Sequence, residues 1–413
     1  MKNLKRLFAL FLVFVFCFAS MGVSADDVPD DVIDDRIVTE YNSPDLTDPP
    51  VGAIETIGPI GSVLEIPAKS AVLMDVDTGT VLYEKDSHSK LPPASITKVM
   101  ALLLVMEAIE SGQMTLETEL SASAHACSMG GSQIWLEPNE QMTVHELLKA
   151  TVIGSANDAT VVLGEAIAGS EEGFVAMMNQ RAEQLGLTDT HFVNCTGLDA
   201  DGHLTSAYDI AVMSKELIKH ELIKQYSTVW MDSLRNGESE LVNTNKLVKF
   251  YEGCTGLKTG TTSGAGCCLS ATAEREGLRL VAVVMGADTS NDRFNGARKL
   301  LDYGFANWSK ITVTTDPEEL HPVTVTGGVS EFVNAECTER KSFLVEKQKA
   351  KTLLLQTEIA EKLKAPVVKG QQIGVTRVYI DGKEIGTVKV VAETGVEKMT
   401  FFKYVGLLLN KLI

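Results

Sequence analysis

From Ser95 the chain reads "SITKVMALLLVMEAIESG", apolar on nearly every face until Ser111 and Gly112 close it. A helix with no polar face belongs inside a large domain, so this segment predicts a central helix with other elements wrapped around it. Helical spacing returns in "TVHELLKATV", "DATVVLGEAIAG" and "GFVAMMNQRAEQLG", the first two separated by a short loop around Ser155 to Asn157. Strand patterns lie on either side. "AKSAVLMDVDTGTVLYEKDSH" puts two β-rich runs around the turn Asp77-Thr78-Gly79, and "AGCCLSATAEREGLRLVAVVMGA" two more around Glu276-Gly277. "RFNGARKLLDYGFANW" closes this region as a helix near residue 308. The pattern predicts an α+β fold over residues 66–310, an antiparallel sheet backed by a helical cluster.

Beyond residue 311 the period changes. "VTVTGG" and "QQIGVTRVYIDGKEIGTVKVVA", with a turn at Asp381-Gly382, predict a small all-β domain over 311–391. Residues 392–413 end in "VEKMTFFKYVGLLLNKLI", where Lys403, Asn410 and Lys411 share one arc and Phe402, Val405, Leu408, Leu409 and Leu412 occupy the rest. This stretch is too short and too lysine-bearing to span a bilayer, but it suits an amphipathic helix lying on a membrane surface. The other end of the chain also points to a membrane. Lys2, Lys5 and Arg6 precede the apolar run Leu7 to Phe18 and the small residues Val23-Ser24-Ala25, which predicts a secretory signal over 1–25. Residues 26–65 begin as an acidic, Pro-containing run without periodicity and read as a linker.

The formal charge is −18, and removing the signal takes it to −21. A nucleic-acid binder carries a basic stripe, and none is present. Outside the signal the cysteines are Cys127, Cys195, Cys254, Cys267, Cys268 and Cys337, too few for a disulfide scaffold and with no Cys-x-x-Cys pair. His145-Glu146 is followed by Lys149 where a zinc peptidase needs a second histidine, so no metal or other cofactor is expected.

Three short motifs carry chemistry. In "PPASITK", Ser95 and Lys98 are i and i+3 neighbours at a helix start. A serine is a weak nucleophile without a base, and a lysine is a base only where burial and nearby positive charge lower its pKa. In "VIGSANDAT", Ser155 offers a second hydroxyl and Asn157 an amide that could hold Lys98 and a substrate backbone, with Asp158 a plausible cap of the next helix. In "GLKTGTTSG", Lys258 adds a positive field that helps keep Lys98 neutral. Thr259 and Thr261 offer hydroxyls to a carboxylate, and Gly260 would let a substrate backbone come close to a strand. S-x-x-K on a helix, S-x-N in a loop and K-T-G on a strand, in that order, are the signature of penicillin-binding proteins and serine β-lactamases.

The flanking stretches "LPPASITKVMALLLVMEAI", "MGGSQIWLEPNEQMTVHELLKATVIGSANDAT", "NCTGLDADGHLTSAYDIAVMS" and "NDRFNGARKLLDYGF" closely resemble the low-molecular-mass D-alanyl-D-alanine carboxypeptidases, the S11 peptidases. The resemblance covers roughly 66–310, and the β-rich segment and terminal helix resemble that family's second domain and membrane anchor. It implies the penicillin-binding transpeptidase fold, a D-Ala-D-Ala peptidoglycan stem peptide as substrate, β-lactams as inhibitors, and a place on the outer face of the cytoplasmic membrane. It also implies Ser95 as nucleophile, Lys98 as base, Ser155 and Asn157 as relay, and Lys258, Thr259 and Gly260 as the opposite wall. The N–H groups of Ser95 and Thr261 would form the oxyanion hole, and Arg293 would lie near the terminal carboxylate. The chain departs from the family pattern at Cys195-Thr196, at Tyr208 in place of an arginine, and at Thr261 where some members carry histidine.

Two rivals share the motifs. A class A β-lactamase needs Glu-x-x-x-Asn between the last two, but "ESELVNTNK" places Glu238 five residues and Glu240 three residues from Asn243. A non-catalytic wall-binding protein would be expected to have lost the serine or a lysine.

Overall fold

The computed structural model describes residues 64–410, with side chains through Gly406. The predicted signal, residues 26–63 of the predicted linker and residues 411–413 lie outside the described residues. Leu64 and Ile66 already belong to the fold. The Leu64 carbonyl accepts a hydrogen bond from the Tyr83 hydroxyl at 2.9 Å, and Ile66 is buried.

The main sheet has five strands: β1 (Ser70–Asp75), β2 (Val81–Lys85), β3 (Cys254–Thr262), β4 (Gly266–Arg275) and β5 (Leu278–Ala287). Their order is β2-β1-β5-β4-β3, antiparallel throughout, with β3 on an edge. The sheet is covered on both faces, which explains its nearly continuous apolar strands. Along β5, Val281, Val283 and Met285 enter one core, while Leu280, Ala282 and Val284 enter the other.

The first core holds the helical cluster. Helix α1 (Lys98–Glu110) is buried along almost its whole length, as its sequence requires. Around it pack α2 (Val144–Val152), α3 (Asn157–Ala168), α4 (Glu171–Gln184) and α5 (Ala207–Leu217). Their starts are written locally: Thr143 and Glu146 form a capping box on α2, and the Ser170 and Ser206 hydroxyls cap α4 and α5. Helix α6 (Ser290–Asn307) covers the second core.

The second domain contains β6 (Trp308–Val313), β7 (Val323–Thr326), β8 (Phe332–Val333), β9 (Ala335–Glu336), β10 (Lys341–Glu346), β11 (Leu354–Ile359), β12 (Lys362–Lys364), β13 (Gln372–Ile380) and β14 (Lys383–Ala392). They form the sheets β6-β10, β8-β7-β12 and β9-β14-β13-β11. Trp308 already pairs with Glu346, so this domain begins before residue 311. It also runs past 391. Val396 pairs with Val367 and Lys398 with Gly328, and helix α7 (Phe401–Asn410) starts only after those bridges. The expected helix over 392–413 is therefore shorter at its start, because the "V-E-K" segment satisfies its backbone groups on the β-domain instead.

Candidate active site

Ser95 lies in a 3-10 turn, Ala94–Thr97, that feeds into α1, rather than in the α-helix expected from sequence. Side chains at i and i+3 eclipse in a 3-10 turn, so the tighter winding aligns Ser95 over Lys98. Ala94, just before it, holds φ +50°, a left-handed conformation unusual for a residue with a Cβ. The strain sits next to the nucleophile, where the surrounding structure over-determines it.

Lys98 is fully buried. Its Nζ contacts Ser95 Oγ at 3.0 Å, Asn157 Oδ1 at 2.5 Å and the Thr196 carbonyl at 2.8 Å. The Asn157 orientation is fixed because its Nδ2 donates to the Gly130 carbonyl at 2.6 Å. Two of the three partners of Lys98 can therefore only accept. A neutral amine donates its two protons to them and turns its lone pair to the Ser95 hydroxyl, as a base must.

Burial lowers the Lys98 pKa from 10.5 to about 7. The Cys195 sulfur and the Asp158 carboxylate act in the opposite direction. Burial also pushes the Cys195 thiol well above its ordinary value and keeps it protonated, which leaves Asp158 as the opposing charge that matters. The sequence-based expectation that Lys258 keeps Lys98 neutral gives way here: the leading cause is removal from water.

Lys258, also buried, donates to Ser155 Oγ at 2.7 Å and to the Thr259 carbonyl at 3.1 Å. Ser155 sits at φ +61°, the loop conformation that turns its hydroxyl toward β3. Thr259 Oγ1 donates to Thr244 Oγ1 at 2.7 Å. Thr261 is exposed, and behind it Arg293 is 1% exposed with Nη1 2.9 Å from Thr261 Oγ1 and 3.3 Å from the Gly260 carbonyl. The fold thus brings the nine residues expected from sequence together where α1, the loop before α3 and the edge strand β3 meet, with Arg293 reaching in from α6.

Two expectations change. Gly260 makes room for the chain itself: a Cβ there would lie 2.6 Å from the Ser95 nitrogen and 2.9 Å from that of Ile96. The missing Cβ lets β3 press against the backbone of the Ser95 turn, a requirement additional to the expected approach of substrate. Asp158 is not a helix cap, because the N-cap is Ala156. Its buried carboxylate instead accepts from the N–H groups of Ile134 and Leu136, each at 3.1 Å in its shorter contact, and so pins the segment that supplies the Gly130 carbonyl to Asn157. Asp158→Ala is expected to orphan both donors and cost about 3 kcal/mol, read from denaturant unfolding. An unchanged midpoint would refute that role.

Three contributors were not visible in sequence. The Thr196 carbonyl reaches Lys98 through its backbone, so its side-chain departure from the family pattern is immaterial. Thr244 positions Thr259 from a neighbouring loop. His203 accepts the Val193 N–H on Nδ1 at 2.9 Å, which leaves Nε2–H to donate to Thr97 Oγ1 at 2.8 Å. Burial lowers its pKa to about 4, so it ties the 193–197 segment to the Ser95 turn as a neutral ring. A spacing search for histidine ligands passes over such a residue.

The D-alanyl-D-alanine carboxypeptidase family model, peptidase S11, matches residues 58–289, and that of the penicillin-binding protein 5 C-terminal domain matches residues 308–398. The chain belongs to the D-alanyl-D-alanine carboxypeptidase family. It is 41% identical over 363 residues to the D-alanyl-D-alanine carboxypeptidase DacF of Bacillus subtilis (strain 168), covering 87% of this chain and 93% of that one. Penicillin-binding protein 5 from Haemophilus influenzae superimposes with a TM-score of 0.66 at 29% identity, covering 81% of this chain and 98% of that one. Penicillin-binding protein D2 from Listeria monocytogenes, in its ampicillin-bound form, does so with 0.54 at 31% identity over 59% of this chain and 99% of that one. The protein is a D-alanyl-D-alanine carboxypeptidase with the penicillin-binding fold, acting on peptidoglycan. Neither rival reading gains support. Glu238 and Glu240 are exposed on a hairpin, while the Asn243 side chain is spent on the Val229 carbonyl and the Asn245 N–H.

Proposed function

We propose that this carboxypeptidase removes the terminal D-alanine of a stem peptide with Ser95 as nucleophile and Lys98 as its general base. The observation that carries the reading is the 3.0 Å contact between Ser95 Oγ and a fully buried amine whose pKa is near 7. The free carboxylate docks on Thr259 and Thr261, with Arg293 supplying positive charge from behind. Ser95 gives its proton to Lys98 and attacks the penultimate carbonyl carbon. The oxyanion is held by the N–H groups of Ser95 and Thr261. Collapse breaks the C–N bond, and Lys98 returns the proton to the departing D-alanine nitrogen, directly or through Ser155. Asn157 holds Lys98 and the substrate backbone, and Lys258 holds Ser155. Water then attacks the acyl-serine with Lys98, neutral again, as its base. A β-lactam takes the same acylation step but keeps its leaving group tethered, so its adduct decays slowly.

The test is incubation of the residue 66–413 protein with a fluorescent penicillin, followed by peptide mass spectrometry and a Ser95→Ala control. A slowly decaying adduct on Ser95 is expected. Rapid turnover would favour a lactamase, and no adduct would overturn the assignment of Ser95. Arg293→Gln is expected to raise the KM for a D-Ala-D-Ala peptide roughly 10- to 100-fold, from the loss of one charge-assisted contact, with kcat less affected. An unchanged KM would remove Arg293 from carboxylate recognition.

We further propose that the chain is exported through residues 1–25 and held on the outer face of the cytoplasmic membrane by α7. Supporting this, Phe401 and Phe402 are 75% and 86% exposed among the described residues. Among the described residues no helix is long and apolar enough to cross a membrane, which is consistent with a helix lying in the interface.

A further inference from the structure

The β-domain raises apolar side chains at the same end from which α7 departs. Residues 327–331, 367–371 and 395–399 converge there through backbone bonds: Met399 N–H to the Gly327 carbonyl at 2.8 Å, Val329 N–H to Glu397 at 2.9 Å, and Val367 N–H to Val396 at 2.8 Å. Val329 and Val368 on these segments, and Phe332 at the start of β8 just after the first, are 37%, 66% and 54% exposed. Phe401, Phe402 and Val405, on the helix that begins two residues after Met399, are exposed as well. The opposite end of the β13–β14 hairpin is the Asp381 turn, whose N–H bonds to Thr352 Oγ1. Thr352 lies on the segment after β10, which adjoins the catalytic domain through the Lys347 N–H and the Asn307 carbonyl. The exposed cluster is therefore at the end of the domain remote from this junction with the catalytic domain, by the length of β13, about 30 Å at the usual rise per residue.

We propose that Val329, Phe332 and Val368 enter the lipid head-group layer beside α7, so that the β-domain itself is part of the membrane contact. This rests on the reading of α7 as a membrane-surface helix. Isolated exposed hydrophobes need no explanation, but these three gather at the end of the β-domain from which α7 departs, and Phe401 and Phe402 of that helix are exposed among the described residues. A helix alone behaves as a flexible tether. Contacts on separate tips define a plane and hold the catalytic cleft at a fixed height above the bilayer, facing the wall. Charge is nearly balanced around the tips. Lys369, Lys398 and Glu331 lie on the tip segments and Glu393 just before the last of them, and Glu397 is paired with Lys403. The attraction is therefore apolar, and binding is expected to change little with salt.

The experiment is co-sedimentation of the full chain with vesicles of phosphatidylglycerol and phosphatidylcholine, comparing the wild type with the triple variant Val329→Ser, Phe332→Ser, Val368→Ser and with a chain truncated after Thr400. In parallel, a Phe332→Trp variant is mixed with vesicles carrying brominated lipid. The expected result is about tenfold weaker partitioning of the triple variant, with penicillin labelling unchanged as proof of fold, and lipid quenching of the tryptophan introduced at 332 beyond that of the wild type. A wild type that binds through α7, a triple variant that binds equally well and no added quenching would overturn the proposal and leave the anchor reading intact. Tip-dependent binding that survives truncation would support the tips and overturn α7 as the principal anchor. A wild type that fails to bind either vesicle would overturn both.

Discussion

Lys98→Met is expected to slow acylation of Ser95 by about 10⁴-fold, with substrate and with penicillin alike. Methionine fills a similar volume at this fully buried position, so the loss reports on chemistry rather than collapse. The variant leaves Asn157 Oδ1 and the Thr196 carbonyl without their donor, a cost of about 1–3 kcal/mol each, while removing the burden of desolvating an amine. In the wild type the reactive form is the neutral amine. Because burial has brought its pKa down to about 7, acylation should rise tenfold per pH unit below that value and level off above it. Stopped-flow acylation by a fluorescent penicillin between pH 5 and 9 measures this limb. A limb near 7 that survives in Lys98→Met would assign the titration to another group and sink Lys98 as the base. The same shift also bears on stability. An unfolded chain keeps the proton up to the ordinary value of 10.5, so the folded state gains stability as pH rises from about 7 toward 10.5 and loses that contribution as pH falls through 7.

What could be read from sequence in this enzyme follows the range over which each interaction acts. Ser95 and Lys98 are three residues apart, and their apposition is a property of one helical turn. The β4–β5 hairpin is equally local, so the α+β architecture was legible, as were the three motifs that the fold brings together. The environment that makes Lys98 a base was not. Its depressed pKa comes from burial under elements distant in sequence, and the carbonyl that orients it belongs to Thr196, 98 residues away. Backbone carbonyls carry no side-chain signature, so no motif could announce that contact. Asp158 was recognised as special but given the wrong partner, and the close approach of the Ser95 turn to Gly260 was missed, because a free carboxylate and a missing Cβ look the same in sequence whether they serve a helix cap, a substrate or the protein's own backbone. The start of α7 was misjudged for a related reason. Val396 and Lys398 fit a helical pattern, yet tertiary bridges to Val367 and Gly328 claim them for the β-domain.

Gly197→Ala is expected to be the most disruptive single methyl addition at the active site. Gly197 holds φ +91°, and a Cβ there would sit 1.9 Å from the Ala94 carbonyl oxygen, 2.3 Å from its carbon and 2.8 Å from the Ser95 nitrogen. Every colliding atom is backbone, so no side-chain rotation relieves it. Either the strained Ala94–Ser95 turn or the 194–197 segment must move. The first carries the nucleophile, and the second carries the Thr196 carbonyl that holds Lys98, so both movements separate Ser95 from its base. A loss of about 3 kcal/mol or more in denaturant unfolding is expected, together with at least about 100-fold slower penicillin acylation, the usual consequence of misplacing a catalytic group by an ångström. Gly186→Ala supplies the control. Gly186 also has positive φ, at +72°, but a Cβ there meets nothing within 4 Å. It should cost only about 1 kcal/mol and leave acylation unchanged. If the two variants behave alike, left-handed strain alone accounts for both. If only Gly197→Ala loses acylation, the close approach of the 197 backbone to the Ser95 turn is what sets the geometry of the nucleophile.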